Sequence, residues 1–344
     1  MAMATTDEKP EVPPEYGHLA YINNGSFART LGDNLPRSCS GPKTISQLAW
    51  SSTPSSIGGL EVLPLDLIQE VLAQLDITTL LDFRRVNKQA LALVESLPHY
   101  RAITTHAPSA LHAIFRIQTG RSIAVQTLFD ELCAWKCHHC DGFGGYLYLI
   151  TCIRLCRPCF TTKNRYLPRD TTRVKAEFLL DDEITNRLPR MRLHPGKYAP
   201  GCQSITRTGP RSVLYDAGHA RWTSSIIHGS KIISDILEEA YVTDQTEMQL
   251  LRYTKRVRAA EQAGRVSSLR TPRLTMLEDT NANNGFRYVA IIRVPWFDRK
   301  SQVAQWGLSC RKCLSIPVSE RTYLDQFTPE GFKEHLKEHE AADS

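Results

Sequence analysis

No run in the 344-residue chain reaches the roughly 18 to 20 consecutive apolar residues that a membrane span requires. The opening residues, "MAMATTDEKPEVPPEYG", hold no apolar core of signal-peptide length. The chain is therefore expected to be soluble and non-secreted, to make no membrane contact, and to work in the cytoplasm and/or the nucleus. Phosphate-binding glycine loops, dinucleotide fingerprints and nucleophile elbows are missing, as is any repeat at a solenoid period. These absences remove the usual sequence support for a nucleotide-dependent enzyme, an α/β-hydrolase or a repeat scaffold. Asn24-Gly25-Ser26 matches a glycosylation acceptor, which carries no meaning in a chain that is not secreted.

At 42% hydrophobic and 23% charged residues the composition is globular. The length suits about two or three compact units of typical domain size. The net charge of +6 tolerates an anionic partner but does not demand one. Residues 1 to about 58 are rich in Pro, Ser, Thr, Gly and Asn and show little periodicity, so the sequence predicts a disordered arm over 1–58.

From Gly59 the pattern changes. Leu67, Ile68, Val71, Leu72 and Leu75 recur at helical spacing, and after "DITT" the residues Leu80, Leu81, Phe83, Val86, Ala90, Leu93 and Val94 continue on a second helix. Pro64 suits a first helical turn, and Thr79 with Asp82 makes a plausible cap. The expected product is a compact helical hairpin. Leu63-Pro64, "DLIQEVL", Leu75-Asp76, "TLLDFRRVNKQ" and the closing Val94 together resemble the F-box, and the cysteine-rich segment that follows is similar to fungal F-box proteins. The resemblance covers about one eighth of the chain. It implies docking to the Skp adaptor, and through it to the cullin, of an SCF-type cullin-RING ubiquitin ligase, with the remaining chain presenting a protein substrate. Leu63, Pro64, Leu67, Ile68, Leu72, Leu80, Leu81, Val86 and Val94 match the family's pattern and are implied as the partner-binding residues. A short amphipathic hairpin laid into a partner's groove is a common recognition mode. Such stripes also form ordinary cores.

Ten cysteines are present, and five fall within "KCHHCDGFGGYLYLITCIRLCRPC", residues 136 to 159. In a reducing compartment thiols so clustered are better metal ligands than disulfide partners. Cys137-x2-Cys140 and Cys156-x2-Cys159 are separated by fifteen residues, a spacing that suits one tetrahedral zinc. The glycines of "CDGFGG" allow the tight turn, and Tyr146 to Ile150 favour an extended return. Cys152 is an alternative to Cys156; symmetric knuckles favour the two pairs, with Cys152 as core and His138 and His139 facing solvent. A redox role for Cys137-x2-Cys140 lacks the βαβ surround it needs.

A second set lies near the C-terminus: Cys310 and Cys313 in "CRKC", His335 and His339 in "TPEGFKEHLKEH". Histidines four apart share a helical face, Thr328 can cap that helix, and Phe332 and Leu336 form its packing side. The set resembles a Cys₂His₂ zinc finger, although twenty-one residues between Cys313 and His335 exceed the usual finger. The same stretch satisfies H-x-x-E-H with Glu338 as base, the pattern of inverted metalloproteases. Cys310 and Cys313 would saturate the ion and leave no place for an activated water, which argues against it. The spacing alone does not forbid Cys137 and Cys140 from sharing an ion with Cys310 and Cys313. Cys39 and Cys202 have no near partner.

Linker helices are expected over 106–135, the cysteine-rich knuckle over 136–160, a mainly helical region over 161–283, and short strands plus the second zinc site over 284–344. Within these, "FRYVAIIRVPWF" reads as a strand limited by Pro295. The long pattern from Ser230 to Gly264 reads as one helix or two. The fold class is thus mainly α with small β and zinc-knuckle elements, an F-box helical hairpin followed by a zinc-stiffened α+β region. Two structural zinc ions, a Skp adaptor, a cullin and an unknown protein substrate are the implied partners, and the chain is expected to be a non-catalytic adaptor. The alternative is a zinc-dependent nucleic-acid-binding protein that uses the basic stretch 252–273. Against it, "GFKEHLKEHEAADS" carries more acid than base.

Overall fold

A computed structural model describes residues 12–22, 28–35, 56–206, 212–228, 282–315 and 325–342. Its first strand is β1 (Ala20–Ile22). Helix α1 (Leu65–Gln74) starts directly after Pro64, whose ring fixes the entry angle. Asp76 caps α2 (Ile77–Arg84) by accepting the Thr79 N–H at 2.9 Å and the Thr79 hydroxyl at 2.6 Å. The true cap therefore lies three residues before the expected Thr79–Asp82 pair. Asn87, fully extended, caps α3 (Lys88–Ser96) by accepting the Ala90 N–H at 2.8 Å. The expected second helix of the hairpin is thus two helices, because the Asn87 amide takes the backbone donor that a continuous helix would have used.

Prolines at the first positions then start α4 (Pro98–His106) and α5 (Pro108–Ile117). After a turn at Gln118, α6 (Val125–Cys133) follows. The intervening loop pairs with the α1–α2 junction: Ile77 N–H donates to the Ile123 carbonyl and Val125 N–H to the Leu75 carbonyl, both at 3.0 Å. Gly120 is required there, since a Cβ would lie 2.6 Å from Thr78 Oγ1. With α6 packed against both α1 and α4, residues 106–135 are not a linker. They close the same core as the F-box-like helices, because Ala110, Leu111, Ile114, Val125, Leu128 and Leu132 are buried in it.

The chain then enters a three-stranded antiparallel sheet, β2 (Tyr146–Tyr148) and β3 (Ile153–Leu155), and next α7 (Arg157–Thr162). β4 (Arg169–Asp170), α8 (Thr171–Phe178), α9 (Asp182–Arg187), β5 (Arg190–Arg192), β6 (Gly196–Tyr198), β7 (Gln203–Ile205), β8 (Val213–Tyr215) and α10 (Ala217–Ile227) follow. The described part of 161–283 is thus mixed rather than mainly helical, with β4-β8-β5 as one sheet and β6-β7 as a hairpin. Residues 229–281, including the expected long helix and the basic stretch, lie outside the described residues. The expected strand around Pro295 divides into β9 (Ile291–Arg293), which completes the order β3-β2-β9, and β10 (Trp296–Asp298), which pairs with β11 (Val303–Gln305). β12 (Leu308–Cys310) and α11 (Pro329–Ala342) end the described chain.

The arm expected over 1–58 is corrected where it is described. β1 pairs with β12 in the register Ala20↔Cys310, and Leu31 is fully buried, its N–H bonded to the Ile291 carbonyl at 3.0 Å. Asp33 meets Arg293 at 3.1 Å. A three-residue strand and isolated buried residues are too short to leave a periodic trace.

Arg154 on β3 is wholly buried. Its guanidinium donates to the carbonyls of Glu131 (2.7 Å), Gly144 (2.6 Å), Leu132 (3.3 Å) and Pro295 (2.8 Å). Gly144 has to be glycine, because a Cβ there would stand 2.5 Å from Arg154 Cγ. Replacing Arg154 by Met would keep much of the volume and strand these carbonyls, at a cost of at least about 3 kcal/mol. The urea midpoint of Arg154→Met is expected to fall accordingly. Arg154→Lys should recover little, since a single ammonium cannot span the fork. A midpoint equal to the wild type's in Arg154→Met would refute this role.

Candidate functional site

The helices α1 to α3 bury one side and leave another open. Ile68, Leu72, Leu80, Leu81 and Val94 lie inside the core formed with α4 to α6. Leu63, Pro64, Leu67 and Val86 face outward. Of the nine residues expected to touch a partner, five are therefore corrected: burial against this chain's own helices leaves them no surface to offer. Val62, Leu65 and Val71, which the sequence pattern did not single out as contacts, are also apolar and open, at 86%, 53% and 49% exposure. Leu67 and Val71 stand one helical turn apart on α1. Asn87, next to Val86, donates from its side-chain amide to the Ser56 carbonyl at 2.9 Å, which ties the α2–α3 junction to the segment just before the turn that ends at Val62. Exposed aliphatic side chains this frequent over residues 62–71 are the usual mark of a surface that another molecule covers.

The first metal-ligand set grows from two turns. Cys137 N–H donates to the Gly142 carbonyl at 2.6 Å and Asp141 takes a left-handed conformation (φ 60°), which folds Cys137 and Cys140 onto one side. The β2–β3 hairpin returns the chain, His138 N–H donates to the Arg154 carbonyl at 2.8 Å, and the first turn of α7 delivers Cys156 and Cys159. The four sulfurs lie within 4.8 Å of one another, with Cys140 and Cys156 at 3.5 Å. A tetrahedral ion with metal–sulfur bonds of about 2.3 Å would set sulfur–sulfur edges near 3.8 Å. The His139 N–H donates to Cys137 Sγ at 3.4 Å, a contact that steadies a thiolate. A hydrogen bond from Cys156 holds the Cys137 thiol down at about 4, the proton shared with Cys137 pushes Cys156 up, and burial pushes Cys159 up to about 12. Only a bound cation would let all the sulfurs ionise together. Cys152 sits in the hairpin turn (φ 53°), buried and outside this group, its thiol pushed up by burial. His138 and His139 are exposed.

In the second set Cys310 ends β12, Cys313 lies in the following 3₁₀ turn, and α11 supplies both histidines. Thr328 Oγ1 accepts the Gly331 N–H at 3.1 Å, so the expected cap is present. Cys313 Sγ lies 3.3 Å from His335 Nε2 and 3.1 Å from His339 Nε2; Cys310 Sγ lies 3.9 Å from His339 Nε2, and the two Nε2 atoms are 3.2 Å apart. Tetrahedral edges for mixed sulfur and nitrogen ligands are about 3.3 to 3.8 Å, close to these separations. Phe327 stacks on His335 at 4.4 Å and fixes its ring, and burial lowers the His335 pKa, favouring the neutral imidazole that ligation requires. Glu338 is exposed and lies 3.9 Å from His335 Nδ1, on the side away from the four donor atoms. The two sets are separate groups, so Cys137 and Cys140 do not join Cys310 and Cys313. Each group could hold one metal ion, and thiolate with imidazole suits zinc.

A family model described as the F-box domain matches residues 60–102, which span α1 to α3 and the start of α4. No curated protein and no solved structure matches the chain.

Native mass spectrometry of the full chain is expected to show two divalent ions. Cys140→Ser/Cys159→Ser and His335→Ala/His339→Ala should each retain one, and acidification should release both as the ligands take up protons. A folded chain that carries no metal would refute both sites.

Proposed function

We propose that this chain is a non-catalytic substrate receptor of an SCF-type cullin-RING ubiquitin ligase, of the fungal kind that carries a zinc-binding segment after the F-box. The reading rests on one observation: the F-box domain at 60–102 presents Leu63, Leu67 and Val86 outward rather than beneath the remainder of the chain. The Skp adaptor would cover this face and connect the chain to the cullin. The region after the F-box would hold a protein target, in the cytoplasm and/or the nucleus. Two structural zinc ions would stiffen that region, where strands of only two or three residues supply little cooperative structure of their own. What such a receptor contributes is position, since a tethered target lysine meets the charged conjugating enzyme at high effective concentration.

Leu63→Asp/Leu67→Asp tests this without touching the core, as both side chains are exposed. Burying a leucine fully stabilises by about 1.5–3 kcal/mol, so capture of the purified Skp adaptor should weaken by more than about tenfold. Co-purification of the cullin should fall in parallel. Unchanged binding of both would defeat the receptor reading.

A further inference from the structure

Residues 12–22 pack on the small module that carries the second metal-ligand set. β1 lies along β12 with Ala20 opposite the ligand Cys310. Arg311, between the two ligand cysteines, donates its N–H to the Leu19 carbonyl at 2.9 Å and its Nε–H to the Ala20 carbonyl at 3.0 Å. Tyr16 sets its ring edge-on to Phe332 of α11, with centroids 5.3 Å apart. Tyr16, Ala20, Leu308, Cys310, Cys313 and Phe332 form a buried cluster distinct from the main core. Among the described residues it holds six buried side chains, and two of them are metal ligands. A core this small does not hold itself together without a further cross-link.

The F-box helices and the four-cysteine knuckle are placed differently. Their buried side chains, including Cys137, Cys156 and Cys159, belong to the large core. Removal of an ion from the second set would thus strike a unit with little else to hold it.

We propose that the Cys310/Cys313/His335/His339 site is a metal-operated clasp that joins the N-terminal segment 12–22 to the C-terminal helix. Binding of zinc orders the turn between Cys310 and Cys313, and this turn presents the Arg311 donors that hold Leu19 and Ala20. Loss of zinc releases segment 12–22 and α11 together, while α1 to α6 and the first knuckle keep their fold. The clasp rests on the zinc reading of the second site and adds a consequence to it. Linkage requires the converse: a chain whose N-terminal segment cannot dock must bind this zinc more weakly by the same factor.

The test uses the full chain with zinc as the ligand, read by hydrogen–deuterium exchange and by equilibrium competition for zinc with a chelator. His335→Ala/His339→Ala should retain one zinc and lose amide protection over 19–22 and 308–313, with α1 to α3 unchanged. Tyr16→Ala/Ala20→Asp, which leaves all eight ligands in place, should hold one of its two zinc ions about tenfold more weakly, within the usual range of coupling between sites. Suppose the histidine variant loses one zinc but keeps wild-type protection at 19–22, or loses protection in α1 to α3 as well; the clasp is then wrong while the zinc site stands. Wild-type affinity for both ions in the Tyr16/Ala20 variant overturns the clasp in the same way. Zinc content equal to the wild type's in the histidine variant removes the zinc site and the clasp together.

Discussion

A guanidinium taken wholly out of water must have its N–H groups bonded, and Arg154 does so with carbonyl oxygens from three distant stretches of chain: the end of α6, the first cysteine knuckle and Pro295 between β9 and β10. Its backbone takes part too, donating to the Glu131 side chain and accepting from His138 N–H. Burial draws the guanidinium down to about 10, so it remains charged at neutral pH and its donors stay strong. Because Arg154 stands on β3 between the two Cys-x2-Cys pairs, the mutual placement of the four sulfurs depends on it. Arg287, also fully buried, does similar work around α7 through the carbonyls of Phe160 and Lys163 and the Asn164 side chain. In both cases most of the acceptors are backbone carbonyls, so the cation fixes loops that no sheet or helix would otherwise hold.

The two metal-ligand sets stand in unequal surroundings. The four-cysteine set sits at the margin of a core already closed by α1 to α6 and the β3-β2-β9 sheet, and an ion there would reinforce structure that burial supports. The Cys₂His₂ set provides a third of the buried side chains in its own cluster, so an ion there would take the place of a core. The two meet through close packing: a Cβ on Gly307 would stand 2.5 Å from the Phe143 ring of the first knuckle, and one on Gly145 would collide with Gln326. Glycine at both positions lets the second module seat against the first.

Much of this was legible in the sequence wherever side-chain chemistry and spacing carry the signal. The paired cysteines, the two histidines one turn apart and Pro64 at the head of α1 read directly. The split between α2 and α3 did not, since one Asn within "RRVNKQ" decides it through a side-chain bond to a backbone N–H. Strands of two or three residues are too short to show alternation, and for that reason the region after α7 read as helical. Single buried residues such as Ala20 and Leu31 anchor stretches whose composition suggests disorder. On α1 the apolar residues Leu65, Leu67, Ile68, Val71 and Leu72 fall on one broad stripe, so periodicity showed a helix but not how that stripe divides between this chain's core and its surface.

The manner in which the F-box helices join the rest bears on what a receptor of the proposed kind can do. The loop before α6 hydrogen-bonds to the α1–α2 junction, and α6 packs on both α1 and α4, so no flexible hinge separates residues 60–102 from the helices that follow. α6 in turn delivers Glu131 and Leu132 to Arg154, and Arg154 fixes the knuckle. A rigid path of buried contacts therefore runs from the exposed Leu63–Leu67 face to the first metal-ligand set. An adaptor seated on that face would set the orientation of the cysteine-rich region as well as its distance. A flexible tether raises effective concentration through length alone, whereas a rigid mount also restricts which surface lysines of a target can reach the reacting thioester. In a receptor of the proposed kind, the buried guanidinium at Arg154 would thus help to fix which target lysines come within reach while touching neither adaptor nor target.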